Sequence, residues 1–132
     1  MNIHIKDLEV HVDNRGWVSE ILRKEVVDKK EFGQILVTTA YPNIVKGNHY
    51  HKRKTEWYCV IKGKMKLVLR DNETEEVNEF ILGDKKLQTI EISPGVSHGF
   101  RNIGDEMLYV LIYINEPFNP KDPDTFPSVV VE

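Results

Sequence analysis

The stretch Gly47-Asn48-His49-Tyr50-His51-Lys52-Arg53-Lys54-Thr55-Glu56-Trp57-Tyr58-Cys59-Val60-Ile61-Lys62-Gly63 decides how this chain is read. Side chains two apart on a strand share a face, so His49 and His51 project together. The run Lys52-Arg53-Lys54 is a charged bend. Glu56 then opens the next strand, with Tyr58 and Val60 on its face. Lys62-Gly63-Lys64 is a hairpin signal, and Met65 to Arg70 is the returning strand.

Outward from this stretch the apolar pattern keeps a period of two rather than 3.6. Ile3, Ile5, Val10 and Val12 read as strand. So does Trp17 to Leu22, after a turn at Asp13-Asn14-Arg15-Gly16. Ile35 to Thr39 is rich in β-branched residues. Glu79 to Leu82 stops at Gly83-Asp84, Leu87 to Ile92 stops at Ser93-Pro94-Gly95, and Leu108 to Ile114 is the most apolar strand. Only Val18 to Glu31 admits a helix, and its pattern is ambiguous. Turn signals about every ten residues between short strands predict an antiparallel sandwich or barrel. Glu116 to Pro127 carries Pro117, Pro120, Pro123 and Pro127, which predicts an extended C-terminal arm (116–132), one able to pack on a neighbouring subunit.

The chain has 132 residues, 40% hydrophobic and 30% charged, with a net charge of −3. That length predicts a single domain with its own core. The charge gives no reason to expect a nucleic-acid or membrane partner, since both favour a basic face. No apolar run approaches a membrane span, and Met1 to Lys6 lacks the apolar core of a signal peptide. The one cysteine, Cys59, excludes an internal disulfide framework and suits a reducing compartment, so a cytoplasmic location is expected.

His98 follows the tight turn at Pro94-Gly95. A histidine alone on a strand is more often solvated or hydrogen-bonded than a ligand. Three imidazoles and a carboxylate converging inside a barrel are another matter. His49, His51, Glu56 and His98 would form a mixed nitrogen and oxygen site for a divalent metal. Those donors suit zinc, iron, manganese, nickel or copper without choosing among them.

The spacing of His49, His51, Glu56 and Gly63 resembles the first cupin motif, and that of Pro94, Gly95, His98 and Asn102 resembles the second. The resemblance implies a single-domain, all-β cupin: a double-stranded β-helix or jelly-roll barrel, with metal ligands at His49, His51, Glu56 and His98 and zinc favoured. Asn43 stands where the first motif often has glycine, and Pro94 directly precedes Gly95. A narrower resemblance covers nearly the whole chain. Asp13 to Trp17, Lys46 to Tyr50 and Ser93 to Phe100 are similar to the dTDP-4-dehydrorhamnose 3,5-epimerase group, the RmlC-like cupins. Gly47 to His51 and the tail Asn115 to Thr125 are similar to the cupin domain of the capsular polysaccharide enzyme CapF. His51 and Glu56 stand where the rhamnose-pathway epimerases carry glutamine and lysine. Their catalytic tyrosine has no clear counterpart.

This resemblance implies metal-assisted C3 epimerisation of a nucleotide-linked 4-keto-6-deoxy sugar. A 3,4-ketoisomerase on the same substrates is the alternative enzyme, and a non-catalytic metal- or sugar-binding cupin the alternative of another class. Enolisation beside a ketone needs a base and something to hold the oxyanion. A histidine nitrogen bound to metal cannot serve as that base. If all three histidines bind metal, the base is a metal-bound hydroxide, Tyr58, Tyr113 or another group. If no metal binds, His49 is the candidate base, with Glu56 or His98 as its partner. His49, His98, Tyr58 and Tyr113 are therefore the catalytic candidates. Arg15 and Lys46, and further Arg70 and Lys66, are candidates for the diphosphate, although each alone is as readily a solvated surface charge. Trp17 or Phe100 would stack on a base or sugar if neither serves the core. The implied partners are the nucleotide-sugar, a second copy in a homodimer paired through exposed strand edges, and a separately encoded short-chain reductase.

Overall fold

The computed structural model describes residues 1–27 and 31–132, and it is all β apart from one short 3₁₀ turn at Lys24–Val26. The strands are β1 (His4–Asp7), β2 (His11–Asp13), β3 (Gly16–Val18), β4 (Gln34–Ala40), β5 (Val45–Tyr50) and β6 (Glu56–Lys62). They continue with β7 (Lys64–Asp71), β8 (Val77–Gly83), β9 (Gln88–Ile92), β10 (Val96–Asn102), β11 (Leu108–Ile114) and β12 (Phe126–Pro127). Two five-stranded antiparallel sheets face each other, in the orders β1-β9-β6-β11-β4 and β12-β5-β10-β7-β8. A separate hairpin joins β2 to β3.

Alternation along each strand decides what lies between the sheets. Tyr58 and Val60 from β6, Leu108, Val110 and Ile112 from β11, and Ile90 and Ile92 from β9 meet Met65, Leu67 and Leu69 from β7 and Phe100 from β10 in one buried cluster. The turn expected at Asp13 to Gly16 joins the paired strands β2 and β3. The hairpin expected at Lys62-Gly63-Lys64 does not form: β6 and β7 lie in different sheets, so this turn carries the chain from one sheet to the other. Asn43, in the place of a motif glycine, takes a φ of 69°, a left-handed conformation that asparagine tolerates better than most residues.

Two further expectations differ from the structure. The strand predicted over Trp17 to Leu22 ends at Val18, and Ser19 turns away to donate its hydroxyl to the Glu9 carbonyl at 2.7 Å. The helical alternative over 18–31 gives only the 3₁₀ turn, and residues 28–30 lie outside the described residues. The C-terminal arm is ordered and lies against its own barrel. Phe126 and Pro127 pair with β5, and the Asn48 side chain accepts the backbone N–H groups of Val130 and Val131, both at 3.0 Å. Among the described residues no helix is long and apolar enough to cross a membrane.

Candidate metal centre

Each member of the four-residue set owes its place to a different element. His49 lies near the end of β5 and is directly paired with His98 of β10 in the same sheet. His51 follows β5, and Glu56 opens β6 in the facing sheet. The site thus bridges the two sheets at one mouth of the barrel. A bulge between His98 and Gly99 adjusts the register here. Gly99 has no room for a side chain, because a Cβ would stand 2.4 Å from Asn48 Oδ1.

The three imidazoles form a tight triangle. Ring centroids are 5.0 Å apart for His49 and His51, 4.6 Å for His49 and His98, and 5.6 Å for His51 and His98. One donor atom from each of the four residues lies within 4.8 Å of every other. Donors about 2.0–2.2 Å from one ion stand roughly 3.3–3.6 Å apart in a tetrahedral site and at most roughly 4.4 Å apart when opposite each other, so side-chain adjustment closes this set on a cation.

Backbone partners dictate which nitrogen faces inward. His51 Nδ1 is 2.6 Å from the Asp124 carbonyl, and His98 Nδ1 is 3.0 Å from the Val96 carbonyl. A carbonyl only accepts, so both Nδ1 atoms carry a proton, and in the neutral rings both Nε2 atoms present lone pairs. His51 Nε2 is in close contact with Glu56 Oε1, and His98 Nε2 lies 3.3 Å from the same oxygen. His98 Nε2 is buried with no hydrogen-bond partner among the described residues. Either a proton on His51 Nε2, bonded to Glu56, or a metal ion among these atoms satisfies the convergence. Three nitrogens with one carboxylate oxygen suit zinc or a neighbouring transition metal.

The electrostatics follow. Burial opposes the charge of Glu56, but His51 and His98 overcome it and hold the carboxyl well below the usual range. Burial, then the neighbouring rings of His98 and His51, push His49 down to about 4, so that ring is neutral at physiological pH. For His51, burial is outweighed by Glu56 and the Asp124 carbonyl, and its pKa rises. Burial, with Glu56 beside it, drives the Tyr58 phenol well above its ordinary value and keeps it protonated.

A cavity of about 380 Å³ opens onto these residues, lined by His49, His51, Glu56, Tyr58, Lys46 and Lys54, with Phe100, Phe118 and Thr125 also on its wall. Larger cavities of about 790 and 510 Å³ lie on the outer face of the first sheet, over Trp57, away from the four residues. Of the catalytic candidates, His49, His98 and Tyr58 come together. Tyr113 does not: it alternates with the buried Ile112, packs at a tilt against Trp57 with ring centroids 5.9 Å apart and accepts the Gly33 N–H at 3.0 Å on the outer face.

The candidate cations separate in the same way. Lys46 faces the cavity, its ammonium donating to Thr38 Oγ1 at 2.8 Å. Arg70 has the opposite parity to Leu67 and Leu69, and it donates to Ser128 Oγ at 2.7 Å on the outside of the second sheet. Lys66, of the same parity, pairs with Glu79 at 3.5 Å. Arg15 sits on the exposed β2–β3 hairpin beside Asp13. Trp17 is exposed on that hairpin, while Phe100 packs in the core. Sequence reasoning missed Lys54, only 3% exposed, whose ammonium donates to the Pro123 carbonyl at 3.1 Å. Its one sequence signal is its parity with Glu56.

The family described as Polysaccharide biosynthesis C-terminal domain matches residues 11–126. The chain is 33% identical over 126 residues to UDP-2-acetamido-2,6-beta-L-arabino-hexul-4-ose reductase of Pseudomonas aeruginosa, spanning 96% of this chain but 32% of that protein. It is 28% identical over 134 residues to the probable low-salt glycan biosynthesis epimerase Agl13 of Haloferax volcanii, covering 93% of this chain and 85% of that one. The structure of the capsular polysaccharide assembling protein CapF from Staphylococcus aureus superposes with a TM-score of 0.73 at 32% identity, over 95% of this chain and 33% of that chain. The dTDP-6-deoxy-D-glucose-3,5-epimerase RmlC of Legionella pneumophila reaches 0.81 at 18% identity, over 95% and 71%, which bears on the fold alone. The chain therefore spans about a third of the length of the reductase and of CapF.

Proposed function

The chain belongs to the polysaccharide biosynthesis C-terminal domain family, with an RmlC-like cupin fold, and from that premise we propose that it is a metal-assisted epimerase acting at C3 of a nucleotide-linked 4-keto-6-deoxy sugar. The observation that carries this reading is the convergence of His51 Nε2, His98 Nε2 and Glu56 Oε1, with His49 beside them, next to a sugar-sized cavity that His49, His51 and Glu56 line. Support for a sugar substrate comes from the relatives, one a nucleotide-sugar reductase and one a glycan biosynthesis epimerase by name.

His49, His51, Glu56 and His98 would hold the ion, which supplies Lewis acidity toward a ketone oxygen. The protein's own groups do the rest. Tyr58, protonated and facing the cavity, is a proton donor and hydrogen-bond donor rather than a base. His49 is unprotonated and the least buried of the four, which makes it the imidazole best placed to meet a C3 proton when it is not a ligand. Lys46 at the mouth and Lys54 deeper in offer cations to the anionic part of the substrate.

Incubation with a 4-keto-6-deoxy nucleotide-sugar in heavy water tests the reading. Deuterium at C3 with the ketone retained at C4 is the expected result. A ketone appearing at C3 would instead make the protein an isomerase. Metal uptake without any exchange would leave it a binding cupin. His49→Gln should retain the metal and lose exchange if His49 is the base, and lose both if it is a ligand.

A further inference from the structure

Asp124 is a buried acid in a mostly exposed arm. The residue is 3% exposed, and its backbone has a φ of 47°, in the left-handed region. Two kinds of hydrogen bond leave this single residue. Its carboxylate accepts the N–H groups of Lys52 and Arg53, each at 2.9 Å. Its carbonyl accepts His51 Nδ1–H at 2.6 Å. Thr125 Oγ1 is 3.5 Å from the same nitrogen but donates to the Pro123 carbonyl at 3.0 Å, so it does not compete.

We propose that Asp124 is the positioning residue of the metal centre: docked from the C-terminal arm, it sets the tautomer and direction of the His51 ring and the bend between His51 and Glu56. This rests on the metal reading above. An imidazole ligates through Nε2 only when its proton sits on Nδ1, and an acceptor at Nδ1 selects that tautomer. Without the Asp124 carbonyl the two tautomers compete and the ring is free to turn its lone pair away. The carboxylate acts on the other coordinate. By gripping the N–H groups of Lys52 and Arg53 it holds the bend that separates His51 from Glu56. A residue serving only to fasten the arm would need the carboxylate contacts but not the carbonyl aimed at a ligand. The left-handed backbone lets one residue present both groups to the same loop.

The test uses the full chain stripped of metal. Cobalt(II) is titrated in and followed by its visible absorption, and the His51 ring nitrogens are read by nitrogen-15 NMR before metal is added. Asp124→Gly keeps the left-handed backbone and removes the carboxylate that docks the arm, and with the dock it releases the residue-124 carbonyl from His51. We expect cobalt affinity to fall about 10- to 100-fold and the His51 Nδ1–H to lose its hydrogen-bonded signature. Asp124→Asn, which keeps one acceptor, should fall between. Ser128→Ala loosens the arm elsewhere, where Ser128 Oγ accepts from Arg70 at 2.7 Å, and should lower the melting temperature without changing either readout. Wild-type affinity and ring pattern in Asp124→Gly would overturn the proposal, as would an equal loss in Ser128→Ala. If Asp124→Gly does not fold, undiminished affinity in Asp124→Asn overturns it. A wild-type protein that takes up no cobalt defeats the metal reading instead, while the His51 ring comparison in the metal-free protein still decides the role of Asp124.

Discussion

At the scale of single residues, environment overrides type. Five histidines are present, and the three in the cluster differ from the other two only in what surrounds them. Asn102 of the second motif shows a structural use: buried, it donates to the Ala40 and Glu106 carbonyls at 2.9 and 2.8 Å and accepts the Gly104 N–H at 2.9 Å. Its place in the motif was legible in sequence, but its three partners were not. Cys59 yields a pH prediction. It is 1% exposed, and burial pushes its thiol from the ordinary 9.0 to about 11. Between these values the unfolded chain loses the proton while the folded chain keeps it, so this contribution to stability declines as pH rises from about 9 to 11. The melting-temperature advantage of wild type over Cys59→Ala should shrink across that window. A gap that stays constant would show that the thiol does not titrate as burial requires.

At the scale of elements, the β5–β10 pair is the frame of the site. Asn48 within β5 has a φ of 57° and spends its amide on the arm, donating to the Val131 carbonyl at 2.8 Å. Gly99 opposite leaves just enough room for it. Gly99→Ala should therefore displace the Asn48 side chain and leave buried arm groups unpaired, at a cost of about 2 kcal/mol. Chemical denaturation reads this directly, and a loss below about 0.5 kcal/mol would mean that Asn48 yields without cost. The sequence pattern predicts no strand over residues 96–102, because Gly99 and the polar His98, Arg101 and Asn102 break the apolar alternation. The chain is nevertheless a central strand there, paired on both sides by β5 and β7. Pairing partners on both edges override a weak local preference.

At the scale of the whole molecule, the first sheet carries apolar side chains on both faces. Ile35 and Val37 on its outer face are 56% and 60% exposed, beside Leu111 and Trp57. Such a face favours cover by another surface, and we expect a second copy to supply it. Sedimentation equilibrium should give a dimer, and Val37→Glu should shift it toward monomer without changing the metal content. A monomeric wild type would defeat this expectation. The sequence by itself determined the alternation that makes the strands, the turns that separate them, and the residue types able to bind a metal. These are local properties, carried by neighbours two to seven positions apart. Only the tertiary structure decided which parity of each strand faces inward, and so why Tyr58 lines the site while Tyr113 and Arg70 do not. It alone brought Asp124 to His51 across 73 residues. The four metal candidates were legible because their types are rare together at that spacing. The group that aims one of them is a backbone carbonyl, which every residue carries, so no pattern of side chains announces it.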